Sequence, residues 1–241
     1  MCNGMSNLPE KPKAPPASAA VSAFLKQVEA MPQARPANGR RGRLVFAMDA
    51  TASRQPTWDR ACQLQGEMFQ ATRDLGGLAV QLAYYRGFME LAATPFLADA
   101  AELTRRMSGV SCLGGQTQIE RLLRHVLDES RRERVNALVF VGDAVEEAVD
   151  PLCHLAGQLG LQGTPVFIFH EGDNAEAGAA FRQVAKISGG AYAPFNAASA
   201  GALAELLRAV AVFAAGGRAA LTRLASPAAQ RIAGQLPAPK L

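Results

Sequence analysis

The chain has 241 residues, of which 49% are apolar, with a formal net charge of +4 and four cysteines. That is enough apolar material for one sizeable core, so a single domain with tails is expected. The charge gives no nucleic-acid surface: residues 1–43 hold seven Lys and Arg against two Glu, while the other 198 hold 18 basic and 19 acidic side chains, so the body lacks the basic face that phosphate binding needs.

Residues 1–20, rich in Pro, Lys, Ala and Ser, read as disordered. Val21, Phe24, Leu25 and Val28 then outline a short helix over 20–30, isolated by Pro32, Pro36 and Gly39 and expected to dock on the body. The apolar run 44–48 reads as a strand covered on both faces. Pro56 opens a helix marked by Trp58, Cys62, Met68, Phe69 and Leu75 and ended by Gly76-Gly77. Residues 78–85 and 88–94 form a hairpin across Arg86-Gly87, and Pro95 ends it. Asp99-Ala-Ala-Glu102 suggests a capping box for a helix reaching Met107.

A Gly-containing loop, 109–116, precedes a helix traced by Ile119, Leu122, Leu123, Val126 and Leu127. Strand 137–141 ends at Gly142-Asp143, and a helix is expected over 144–159 with a break near Pro151. Strand 166–169, a helix around Phe181, strand 191–195 and a long helix through Leu203, Leu207 and Val210 to Gly216-Gly217 follow. The stretch 221–241 has room for one more short helix. This alternation specifies a Rossmann-like, doubly wound α/β fold: a six-stranded, mostly parallel sheet with one antiparallel edge strand and helices on both faces. The expected organisation is a basic tail over 1–42, a domain over 43–217, and a C-terminal tail over 218–241 that could carry a docking helix.

The cysteines, at 2, 62, 112 and 153, form no C-x-x-C pair, and the three histidines show no ligand spacing, which argues against zinc. No apolar h-region opens the chain and no run of about 18 uninterrupted apolar residues occurs, so a cytoplasmic protein without a membrane span is expected.

In a doubly wound sheet, ligands bind beyond the carboxyl ends of the strands where the strand order reverses. The first strand and the 137–141 strand are the natural neighbours there, and both end in an aspartate. Asp49, Thr51 and Ser53 after the first, Thr117 in the Gly-rich loop and Asp143 after the second make an all-oxygen set, which suits a hard cation or, failing that, a phosphoryl group.

This order, Asp-x-Ser/Thr-x-Ser, then Thr, then Asp, resembles the metal-ion-dependent adhesion site of von Willebrand factor type A (VWA) domains, and the resemblance covers residues 43–215. It is closest in kind to the intracellular bacterial members. The resemblance implies Thr51 and Ser53 as hydroxyl ligands of Mg²⁺ (Mn²⁺ or Ca²⁺ being alternatives), Asp49 and Asp143 acting directly or through water, and Thr117 as a switchable ligand. It also implies a partner protein whose Asp or Glu completes the shell, and a last helix (199–215) that moves when Thr117 engages. Thr51 replaces the commoner serine, and Gly142-Asp143-Ala144 replaces the more frequent Thr-Asp-Gly. Physically, two carboxylates repel by about 4 kcal/mol at roughly 4 Å and an effective dielectric near 20, a cost that a divalent ion turns into attraction.

Each residue also fits a plainer role. Thr117-Gln-Ile-Glu120 and Asp143-Ala-Val-Glu146 both match capping boxes, and Ser53 can bond within its own turn. Glu146 and Glu147 suit a helix N-terminus, and His170 and Asp173 lie on the crevice side as rim residues rather than ligands. Two further functions compete with the binding module. A haloacid dehalogenase-like phosphatase also has an aspartate after its first strand, but needs a second two residues later as general acid, where Thr51 stands. A metal-free scaffold would use the oxygens only as caps. No P-loop and no Ser/His/Asp elbow is present, and a non-enzymatic module is expected.

Overall fold

The computed structural model describes residues 41–64, 66–72, 77–195 and 200–238. The basic tail and the expected helix over 20–30 lie outside the described residues, as do Leu75 and Gly76.

The strands are β1 (Gly42–Asp49), β2 (Leu78–Arg86), β3 (Glu90–Ala93), β4 (Ala137–Gly142), β5 (Val166–Glu171) and β6 (Ala191–Phe195). They form one sheet in the order β3-β2-β1-β4-β5-β6. Only β3 is antiparallel, paired with β2 across the turn at Gly87. The strand order reverses between β1 and β4, which pair in parallel from Leu44↔Ala137 to Met48↔Val141.

The pleat of β1 sorts its side chains to two cores. Leu44, Phe46 and Met48 face one layer, built with α1 (Gln55–Leu64), α2 (Gly66–Thr72), α3 (Ala100–Ser108), α7 (Ala200–Arg223) and α8 (Pro227–Gln235). Val45 and Ala47 face the other, with α4 (Ile119–Arg132), α5 (Val149–Leu161) and α6 (Ala175–Ile187). Both layers are fully buried, and hence the central strands are continuously apolar.

Several boundaries differ from expectation. The helix expected after Pro56 is described on either side of Gln65, as α1 and α2. The helix expected from Ala144 begins at Val149 instead, and Pro151 sits in its first turn, where a missing amide hydrogen costs nothing; the proline marks a start rather than a break. The long helix does break at Gly217, whose φ of 70° is not helical, and a further helical segment continues α7 to Arg223. Ser226 caps α8 by accepting the Ala229 amide at 3.1 Å, and Ile232 of α8 is completely buried in the first core layer.

Candidate metal centre

Three loops meet at the carboxyl edge of β1 and β4. The first starts at Asp49, the last residue of β1, which takes the same face as Val45 and Ala47. Its Oδ1 accepts the Thr51 amide at 2.7 Å and its Oδ2 accepts the hydroxyl of the buried Tyr85 at 3.1 Å. Asp49 is 1% exposed. Burial raises its pKa above the usual carboxylate value, hydrogen bonds from Thr51 pull it down, and the charge of Asp143 pushes it up again. Thr51 is extended, and Ala52–Arg54 form a single 3₁₀ turn into α1 that leaves Ser53 on the exposed rim.

The second loop, between α3 and α4, is fastened on both sides. The Leu113 amide bonds to the Ala50 carbonyl at 2.9 Å, the Cys112 amide to Gln55 Oε1 at 3.1 Å, and the Gln116 amide to the Gly87 carbonyl at 3.1 Å. Gly115 lies flat on the hairpin turn: a Cβ there would stand 1.9 Å from the Gly87 oxygen, so no side chain fits. This packing sets where Thr117 emerges.

The third loop is where the sequence reading needs correction. Asp143 does not cap a helix, because residues 144–148 are not helical. They fold back on the start of α4, whose own N-cap, Gln118, makes no side-chain cap bond. The Glu147 carboxylate accepts the Ile119 and Glu120 amides, the latter at 3.1 Å, and also the Thr117 hydroxyl. Glu146 accepts the Thr117 amide at 2.9 Å and returns its own amide to Thr117 Oγ1 at 3.0 Å. Both glutamates therefore do sit at a helix N-terminus, but it is that of the neighbouring α4. Thr117 caps nothing itself. A Cβ at Gly142 would meet the Phe140 ring at 2.7 Å, so a side chain there would have to displace that ring.

All five residues singled out in the sequence line one cleft of about 290 Å³: Asp49, Thr51, Ser53, Thr117 and Asp143, with Glu146 at its edge. His170 lies below, 2% exposed, hydrogen-bonded to the Tyr192 hydroxyl at 2.8 Å and the Asp143 carbonyl at 3.3 Å, and burial lowers its pKa. Asp173 is exposed and outside the lining. Three contributors have no place in the sequence reading: Tyr85, Arg54 and Glu171. Arg54 is buried and pairs through Nη1 with Glu171 and, at 3.6 Å, with Asp143. The one available signal was the place of Glu171 at the carboxyl end of β5.

The donor set fits a hard cation. Asp49, Asp143 and Glu146 bring carboxylates to the cleft, and the Arg54 guanidinium beside it is shared between Asp143 and Glu171. The raised pKa of Asp49 marks a buried charge without enough compensation. Because both Asp49 oxygens already hold hydrogen bonds, it suits an outer position better than direct ligation. Among the described residues, no three His, Cys, Asp or Glu side chains converge as a metal cluster.

No protein-family model matches the sequence, and no curated protein matches it. Solved structures do. Proximal thread matrix protein 1 from the mussel byssus aligns over 71% of this chain with a TM-score of 0.59 at 16% identity, and the chain spans about half its length, 48%. The vWF domain of the type V pili tip protein Mfa5 from Porphyromonas gingivalis gives a TM-score of 0.56 at 10% identity, over 70% of this chain and 93% of that one. The SpRpn10 VWA domain gives 0.52 at 10% identity, over 68% and 95%. Element order, the single antiparallel edge strand and these superpositions agree: this chain has the fold of a von Willebrand factor type A domain.

Proposed function

We propose that the chain is a divalent-metal-dependent protein-binding module, cytoplasmic and non-enzymatic, in which Mg²⁺ held at the cleft captures an acidic side chain of a partner protein. Mn²⁺ or Ca²⁺ would serve the same chemistry. The observation that carries this reading is the convergence of five oxygen-bearing residues, scattered over 95 positions of sequence, in one cleft at the switch point of the sheet. The bound ion would supply a Lewis-acidic position for an incoming carboxylate.

The chain's own residues have distinct parts in this. Thr51, Ser53 and Asp143, the last a third exposed, line the cleft and would supply two hydroxyls and a carboxylate. Asp49 is held by the Tyr85 hydroxyl and by the Thr51 amide, and the Thr51 side chain also bonds to it. Thr117 Oγ1 accepts the Glu146 amide and donates to Glu147, which leaves one lone pair unused by these bonds. Without an ion, the rim's carboxylates would repel both an acidic partner and nucleic acid. Phe88, Met89 and Leu113 are exposed by 69%, 75% and 54% on the loops beside the cleft, an apolar surface suited to a protein partner. Against a haloacid dehalogenase-like enzyme stands Thr51, whose hydroxyl is far too weak an acid to serve where that chemistry needs a carboxylic general acid.

The test is a Mg²⁺ titration of melting temperature on wild type and Asp49→Ala, with phosphatase activity assayed alongside. Stabilisation of wild type only is expected. A response in neither protein would leave a metal-free scaffold, and turnover lost in the variant would make the chain an enzyme.

A further inference from the structure

A resident cation already stands beside the cleft. Arg54 is 2% exposed, and its Nη1 serves two carboxylates, Glu171 Oε2 and Asp143 Oδ2. Its Nε and Nη2 are buried with no hydrogen-bond partner. An arginine placed only to bind a carboxylate would present its two-pronged edge. This one touches two acids through a single nitrogen.

The two acids are held differently. Glu171 is fixed from both sides, by Arg54 and by the Thr57 hydroxyl, and its side chain is 12% exposed. Asp143 is 33% exposed and lines the cleft, and at 3.6 Å its tie to Arg54 is coulombic rather than a hydrogen bond. Asp143 can therefore turn to the cleft without breaking a hydrogen bond to Arg54, and Arg54 keeps Glu171 when it does.

We propose that Arg54 is the internal counter-cation of the centre: it compensates Asp143 when no ion is bound and sets the ion's affinity by competing for that carboxylate. This rests on the metal-binding reading above. Glu171 moderates the competition by holding the guanidinium back.

The experiment measures Mn²⁺ affinity of the full chain by electron paramagnetic resonance for wild type, Arg54→Gln, Arg54→Lys, Glu171→Gln and Asp49→Asn. Removing the guanidinium should tighten Mn²⁺ binding roughly tenfold, and Glu171→Gln, which frees Arg54 to close on Asp143, should weaken it by a similar factor, the usual scale of coupling between two sites. Arg54→Lys should stay near wild type, and Asp49→Asn should lose the same site. A merely structural Arg54 would give the opposite result, weaker binding on removal. If wild type binds Mn²⁺ and Arg54→Gln binds no tighter, the counter-cation role is overturned while the metal site stands. Should Arg54→Gln fail to fold, unchanged affinity in Glu171→Gln overturns it equally. If no protein in the set binds Mn²⁺, the metal reading fails and this role with it.

Discussion

The loop after β1 and the loop after β4 meet at the same cleft, yet they are built on opposite principles. The first is local. Asp49 bonds to the amide two residues on, Thr51 is extended, and one 3₁₀ turn hands the chain to α1. Its backbone path is set within six residues, and Tyr85 and Leu113 brace it from outside. The second is tertiary. Residues 144–148 lack a helix because Glu146 and Glu147 are committed to Thr117 and the amides of α4, nearly thirty residues earlier in the chain. A site can thus combine a motif that a pattern captures with a loop whose shape depends on a distant partner.

Four changes sharpen that contrast, taken from the largest expected effect. Gly115→Ala drives a methyl into the Gly87 carbonyl at the seam between the hairpin and the second loop. Overpacking against backbone should cost about 3 kcal/mol or more in urea unfolding, and a loss below 1 kcal/mol would mean the seam is soft. Glu147→Ala removes the acceptor for two helix amides and the Thr117 hydroxyl together, and should cost about 1–3 kcal/mol. The first loop should behave otherwise. Ser53→Ala, on an exposed rim, should change stability by less than about 0.5 kcal/mol while abolishing the Mg²⁺-induced rise in melting temperature.

The remaining change concerns pH. Asp49 has a raised pKa in the fold, so the native state holds its proton more tightly than the unfolded chain does. Its ionisation therefore works against folding: the penalty is absent below the ordinary carboxylate pKa, grows as pH rises through the shifted value, and is constant above it. Asp49→Asn, measured with a chelator present, should gain stability relative to wild type as pH climbs from 4 to 7. A difference that is flat with pH would show that Asp49 is already compensated without an ion.

Much of the fold was legible because its signals are one-dimensional. Uninterrupted apolar runs mark strands covered on both faces, and β1, β4 and β5 lie where those runs are. The five cleft residues were legible because each follows a recognisable element end. What escaped was long-range. Arg54 looks like any surface arginine at the start of a helix, and only the β5 terminus, 117 positions away, brings Glu171 to it. Tyr85 reads as one more apolar strand residue until its hydroxyl is found on Asp49. The capping reading of Asp143 failed for the same reason: the motif fitted, but the helix amides that needed an acceptor belonged to α4.

The account stands or falls on an ion in the cleft, and crystals soaked in Mn²⁺ would show it directly by anomalous diffraction. The expected result is one strong peak within ligand distance of the Thr51 and Ser53 hydroxyls, between Asp49 and Asp143, and its loss in Asp49→Ala. No peak there, or a peak held by other residues, would contradict it.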